Sequence, residues 1–126
     1  MSKITITNTS RELTEVEQYL MTMDAGITSM KDVADGTSIP VDAYIEYKDT
    51  KKDGTEADLL SIITVDGKVY STQSETFKSS LKSIHELMHG KPYAIVKRSG
   101  ETKAGRPFVD CGLDVNSVGK GSDIPN

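Results

Sequence analysis

The chain of 126 residues has one cysteine, two histidines and no long apolar run. A single thiol cannot build an internal disulfide framework. Cys111 falls in strand phase with Val109 and Leu113, the pattern of a small buried apolar side chain rather than a reactive thiol. No apolar stretch approaches the length of a membrane span, and Met1–Thr5 lacks a secretory apolar segment, so a cytoplasmic protein is expected. There is no internal repeat. What is present, 36% hydrophobic and 27% charged residues, suits one soluble globular domain with one core and some polar loop or tail.

The net charge of −4 speaks at first against a polyanionic partner, but it is unevenly distributed. Residues 1–67 carry a net −7, residues 68–106 a net +5 and residues 107–126 a net −2. A polyanion responds to the field within about a Debye length, roughly 8 Å in physiological salt, more than to the total. A basic face on an acidic protein is compatible with these counts, although blocks of sequence need not map onto faces.

Residues 1–9 are polar and Thr-rich and read as a flexible N-terminal arm or an edge strand. From Ser10, with Leu13, Val16 and Leu20 at helical spacing and a Thr14-to-Glu17 capping box, an N-terminal helix is expected to run to about Met23. Ser38–Lys48 alternates, with Ile39, Val41, Ala43 and Ile45 on one side and Asp42, Tyr44 and Glu46 on the other. A polar loop turning at Asp53-Gly54 leads to a second strand at Leu59–Val65. Asp66-Gly67 turns into a short third strand at Lys68–Thr72. Ser74 is a fitting N-cap for a helix whose stripe is Phe77, Leu81, Ile84 and Met88, stopped by Gly90 and Pro92. Tyr93–Arg98 and Phe108–Val115 read as fourth and fifth strands around a polar loop at Ser99–Pro107. Residues 116–126 read as a disordered tail.

Five strands with a helix between the third and fourth are the layout of an OB-fold. The expected fold is thus mainly β with helices: a five-stranded OB-fold barrel over residues 10–115, including the N-terminal helix. Such barrels commonly hold single-stranded nucleic acid, using aromatic platforms and a positive groove flanked by the loops joining strands one to two and four to five. Tyr44 and Tyr70 lie in the outward phase of the first and third strands. The first loop supplies Lys48, Lys51 and Lys52. The fourth strand and the loop after it supply Lys97, Arg98, Lys103 and Arg106, opposed only by Glu101, with Phe108 just beyond. Gly100 and Gly105 would allow close approach of a phosphate. Tyr47 and Phe77 are expected in the core, and Lys51-Lys52, beside Asp49 and Asp53, also fits a merely solvated turn.

The strings Leu13–Met21, Thr37–Tyr44, Leu60-Ser61-Ile62, Thr76-Phe77-Lys78 and Ser99–Pro107 resemble small single-stranded DNA-binding proteins encoded by phages of Gram-positive bacteria, over about residues 11–114. The resemblance implies a non-enzymatic OB-fold protein that coats exposed strands during replication or recombination. It would work in the host cytoplasm, without a cofactor or a membrane. It favours Tyr44, Tyr70 and the Lys97–Arg106 segment as the contact surface. A homo-oligomer and replication or recombination proteins are the further partners it admits. The closing Asp123-Ile124-Pro125-Asn126 is similar to the Asp-Ile-Pro-Phe tail with which bacterial single-strand binders recruit enzymes, but it lacks the aromatic residue.

A rival signal sits in the second helix. His85-Glu86-Leu87-Met88-His89 matches the zinc-protease pattern H-E-x-x-H, in which two imidazoles on one helical face bind the metal and the glutamate activates water. With no third histidine, Asp110 or Asp114 would have to complete the site. His89 also adjoins the Gly90 stop, where both imidazoles could instead complement the helix macrodipole. A third reading is an OB-type protein-interaction module that binds no nucleic acid.

Overall fold

Strands dominate the computed structural model, which describes residues 3–117. Strand β1 (Lys3–Thr9) leads to helix α1 (Glu15–Thr22), the two-residue strand β2 (Thr28–Ser29) and a 3-10 turn (Met30–Asp32). Strands β3 (Ser38–Thr50), β4 (Glu56–Thr64) and β5 (Val69–Thr72) follow. Helix α2 (Glu75–Met88) comes next, then β6 (Tyr93–Glu101), β7 (Pro107–Leu113) and a last 3-10 turn (Val115–Ser117). The sheet has seven strands rather than the expected five, because residues 3–9 form a paired edge strand and Thr28–Ser29 adds a short one. Of the expected tail, residues 118–126 lie outside the described residues.

The sheet order is β2-β5-β4-β3-β6-β7, with β1 also on β3. Pairing is parallel between β2 and β5 and antiparallel elsewhere. The molecule is mainly β with two helices, and its mixed sheet curls into a half-barrel. Among the described residues β5 and β7 share no ladder, so the curl stays open between them.

Strand β3 organises both halves. Its first residues, Ser38–Val41, pair with β6, and its last, Ile45–Thr50, pair with β1. Between them the register against β4 shifts at Val41/Ala43. A slip of one residue exchanges the two faces of a strand. Ile39 and Val41 accordingly pack with Phe77, Leu81 and Met88 of α2, whereas Ala43, Ile45 and Tyr47 pack with Leu13 and Met21 on the opposite face. Tyr44, expected to point outward, is turned into the α2-side core and is only 6% exposed.

Helix α1 covers that second face. The capping box closes in both directions: Glu17 N–H donates to Thr14 Oγ1 (3.1 Å) and Thr14 N–H to Glu17 Oε1 (2.9 Å). Because the helix begins only at Glu15, Leu13 precedes it, and Leu13, Val16 and Leu20 do not share a face. Met21 is buried while Val16 is 67% exposed. Arg11 ties the helix to the bulge through Glu17 Oε2 (2.7 Å) and Asp42 Oδ2 (2.9 Å). The bond from Arg11, followed by the one from Thr14 N–H, lowers the pKa of the Glu17 carboxyl to about 2. On the other side Ser74 caps α2 by accepting from Phe77 N–H (3.2 Å), and Phe77, Leu81 and Met88 are buried.

Candidate nucleic-acid interface

The β6–β7 hairpin pairs Ile95 with Leu113, Lys97 with Cys111, Arg98 with Asp110 and Gly100 with Phe108. Ile95 and Cys111 belong to the α2-side core, so strand alternation puts Lys97, Ser99 and Val109 on that inner side. Arg98, Gly100, Phe108 and Gly112 fall on the outer side. There the Phe108 ring leans across β6 onto Gly100: a Cβ built on Gly100 would lie 2.5 Å from Phe108 Cζ. The Arg98 guanidinium leans the opposite way onto Gly112, where a Cβ would lie 2.7 Å from Arg98 Cζ. Gly100 is therefore covered by a ring and is not open to a phosphate.

The hairpin tip adds charge. Thr102 N–H donates to Arg106 O (2.9 Å) and Gly105 N–H to Thr102 O (2.8 Å), with Gly105 at φ 83°, which glycine adopts freely. This tight turn holds Lys103 and Arg106 exposed, along with Glu101. Among the described residues Arg98, Lys103 and Arg106 form no ion pair.

Lys97 behaves differently from its neighbour. It is 4% exposed, and its Nζ donates to Asp35 Oδ1 (2.9 Å) and Ser99 Oγ (3.1 Å). Its inward phase explains this, since a buried ammonium needs a counter-charge. Lys97 holds the Asp35 carboxyl below the ordinary aspartate value. Lys97, expected among the strand contacts, is thus placed in the structure as a buried ammonium paired with Asp35.

The other expected contacts do not all gather here. Lys51 and Lys52 are exposed on the β3–β4 turn, and Lys48 on β3 is 3.7 Å from Asp58. Since β3 and β6 are antiparallel, the β3–β4 turn and the β6–β7 tip lead off opposite ends of their shared ladder. Tyr70 is half-buried, packs against the α2-side core, and lines a small hollow with Leu20, Asp24 and Lys68. A cleft of about 670 Å³ opens between the β2 turn, the start of α2 and the β6–β7 hairpin. Its wall includes Lys31, Gln73, Thr76, Ser99 and Phe108. Lys31, Gln73 and Thr76 carry no local pattern that marks them; only the tertiary curl brings them beside Phe108.

The two histidines are placed apart in role. His85 Nδ1 lies 3.1 Å from the Tyr93 hydroxyl, and its ring meets Tyr44 edge-on at 5.2 Å. Burial raises the Tyr93 hydroxyl above the ordinary tyrosine value. His89 has already left the helix, at φ 51°, so it is not one turn along the same helical face as His85. Among the described residues no three His, Cys, Asp or Glu side chains converge as a metal site. Cys111 is buried, and burial pushes its thiol up to about 12, which keeps it protonated and unreactive. The closing Asp123-Ile124-Pro125 lies outside the described residues.

In chemical terms the hairpin offers a ring for stacking and three cations that form no ion pair among the described residues. A family model described as phage single-stranded DNA-binding protein, of the Phi29 type, matches residues 3–114. No curated protein and no solved structure matches the chain.

Proposed function

The chain belongs to the family of phage single-stranded DNA-binding proteins, and from that premise we propose that the β6–β7 hairpin is where it holds the strand. The observation that carries this reading is the hairpin itself, with Phe108 and Arg98 on its outer side and the exposed Lys103 and Arg106 in its tip turn. Unpaired bases expose π-faces that stack on an aromatic ring whatever their identity, and the phosphates between them follow the cations. The β3–β4 turn, with Lys51 and Lys52, contributes a secondary electrostatic contact from the far end of the ladder.

We assign the half-barrel to the OB class, with β3 to β7 as its five strands, α2 between the third and fourth, and β1, α1 and β2 as additions. What supports this is the order of elements together with the ladders from β5 through β4, β3 and β6 to β7. Residues 3–117 would then act as one domain, working in the host cytoplasm. The function is binding without catalysis: coating exposed strands during phage replication or recombination, with self-association along the strand and contacts to replication proteins as further expectations.

Fluorescence anisotropy with labelled oligo-dT tests this. Binding that weakens steeply with salt is expected, because each phosphate neutralised releases counterions. Absence of binding at low salt would remove the proposal. Zinc found in the purified protein, with peptide hydrolysis lost in Glu86→Gln, would replace it with the protease reading.

A further inference from the structure

Apart from Gly26, whose would-be Cβ meets the Asp24 carboxylate two residues before it, the described glycines divide into two groups by the space around them. Gly36, Gly54, Gly67, Gly90 and Gly105 have φ between 83° and 90° and nothing near a would-be Cβ, so each serves backbone conformation. Gly100 and Gly112 are the reverse. They lie in paired strands with no left-handed φ, a conformation open to any residue, yet a Cβ on either would collide with a side chain on the outer hairpin face. Glycine weakens a strand interior, so its presence at both places calls for a reason other than the backbone.

We propose that Gly100 and Gly112 are positioning residues for strand binding, two seats that let the Phe108 ring and the Arg98 guanidinium lie low against the hairpin. The inference rests on the hairpin being the DNA interface and deepens that reading. The Gly100–Phe108 and Val96–Gly112 pairs are four residues apart along β6, which at the usual strand rise separates the seats by about 13 Å. One seat presents a stacking surface and the other a charge, with the Arg98–Asp110 pair between them and Asp110 accepting from Ser80 Oγ of α2 (2.7 Å). A Cβ on Gly100 lifts the ring tip, and a Cβ on Gly112 lifts the guanidinium. Each takes the contacting group off the track without removing it.

The test uses oligo-dT anisotropy at several salt concentrations on the full chain, with thermal unfolding in parallel. Gly100→Ala is expected to weaken binding about tenfold, the scale of one lost base stack, with an unchanged salt slope. On a Phe108→Ala background the same change should cost nothing more, because the ring it displaces is gone. Gly112→Ala is expected to make the salt slope shallower by about 0.7, one single-strand phosphate contact, and to have no further effect on an Arg98→Gln background. Wild-type binding by both alanine variants overturns the inference, as do equal losses on the backgrounds lacking ring or guanidinium. If one single variant does not fold, the other decides. If neither folds while both double variants do, the glycines serve stability alone and the inference fails. Should Phe108→Ala and Arg98→Gln themselves leave binding intact, the interface reading fails first, which separates the two outcomes.

Discussion

The outer surface of the sheet has a closed half and an open half. Over β3, β4 and β5 the helix α1 brings Leu20 and Met21, with Leu13 just ahead of it, onto Ala43, Ile45, Tyr47, Ile63 and Val69. The aromatic there, Tyr47, is buried, its hydroxyl is 3.1 Å from Ser61 Oγ, and burial raises its pKa. Among the described residues α1 does not reach β6 and β7, whose helix contact is α2, through Ser74 to Val109 O and Ser80 to Asp110. The aromatic there, Phe108, has a glycine beneath it and remains half-exposed. The same residue class is core in one half and contact surface in the other, according to what stands opposite. An outward strand phase marks a binding face only where nothing covers it.

The strongest way to break this contrast is to damage the closed half. Ile45 is fully buried under α1, and Ile45→Ala should cost about 2–5 kcal/mol of stability through lost burial and a cavity. Urea unfolding measures it. The fraction that stays folded should bind oligo-dT with wild-type affinity. A weaker intrinsic affinity would show that the closed half also touches DNA.

The opposite change comes next in size. Phe108→Ala should remove about 1–3 kcal/mol of binding, the usual worth of a base stack, while shifting the urea midpoint much less than Ile45→Ala does. Tyr44→Ala should act the other way, lowering stability and sparing intrinsic affinity, because its ring sits in the core against His85. Reversed results for this pair would move the interface from the hairpin to β3.

How far each half was legible in the sequence follows from the range of the forces involved. The runs that became β3 to β7 and the stripe of α2 announce themselves by period, since burial on one side of a repeating backbone imposes that period. The Thr14–Glu17 capping box is equally local. The bulge at Asp42 leaves no mark in composition, yet it reverses the sense of every later residue in β3 and carries Tyr44 inward. The pairing of Lys97 with Asp35 joins residues 62 positions apart, so a run of Lys and Arg cannot reveal which member is already neutralised. The cleft residues Lys31 and Gln73 are likewise products of tertiary curl, and the seat at Gly112 depends on the register of the β6–β7 hairpin.

Lys97 and Arg98 sharpen the contrast at single-residue scale. Arg98→Gln, Lys103→Gln and Arg106→Gln should each reduce the salt dependence of binding by about 0.7, the share of one single-strand phosphate contact. Lys97→Gln should leave that slope nearly unchanged, because Asp35 already balances its charge, and should instead lower stability by leaving a packed polar group without its partner. An equal slope change at Lys97 would mean that DNA displaces Asp35 on binding.

The smallest effect concerns how the closed half is kept closed. Glu17, hydrogen-bonded to Arg11 and to Thr14, has its carboxyl lowered from the ordinary 4.5 to about 2. A carboxyl depressed on folding contributes stability that is fully present above its unfolded value. That contribution fades as the pH falls from about 4.5 towards 2, when protonation releases Arg11 from the start of α1. The pair lies at the surface and is partly exposed to solvent, so the gain is small, as for other surface pairs. Amide exchange followed from pH 6 to pH 3 should show protection falling in α1 before it falls in β6 and β7. Arg11→Met should remove most of that difference by losing the pair at every pH. Equal acid sensitivity in both halves would show that the Arg11 clamp does not hold the helix in place, and that apolar contact from Leu13 and Met21 is enough to keep the β3–β5 face covered.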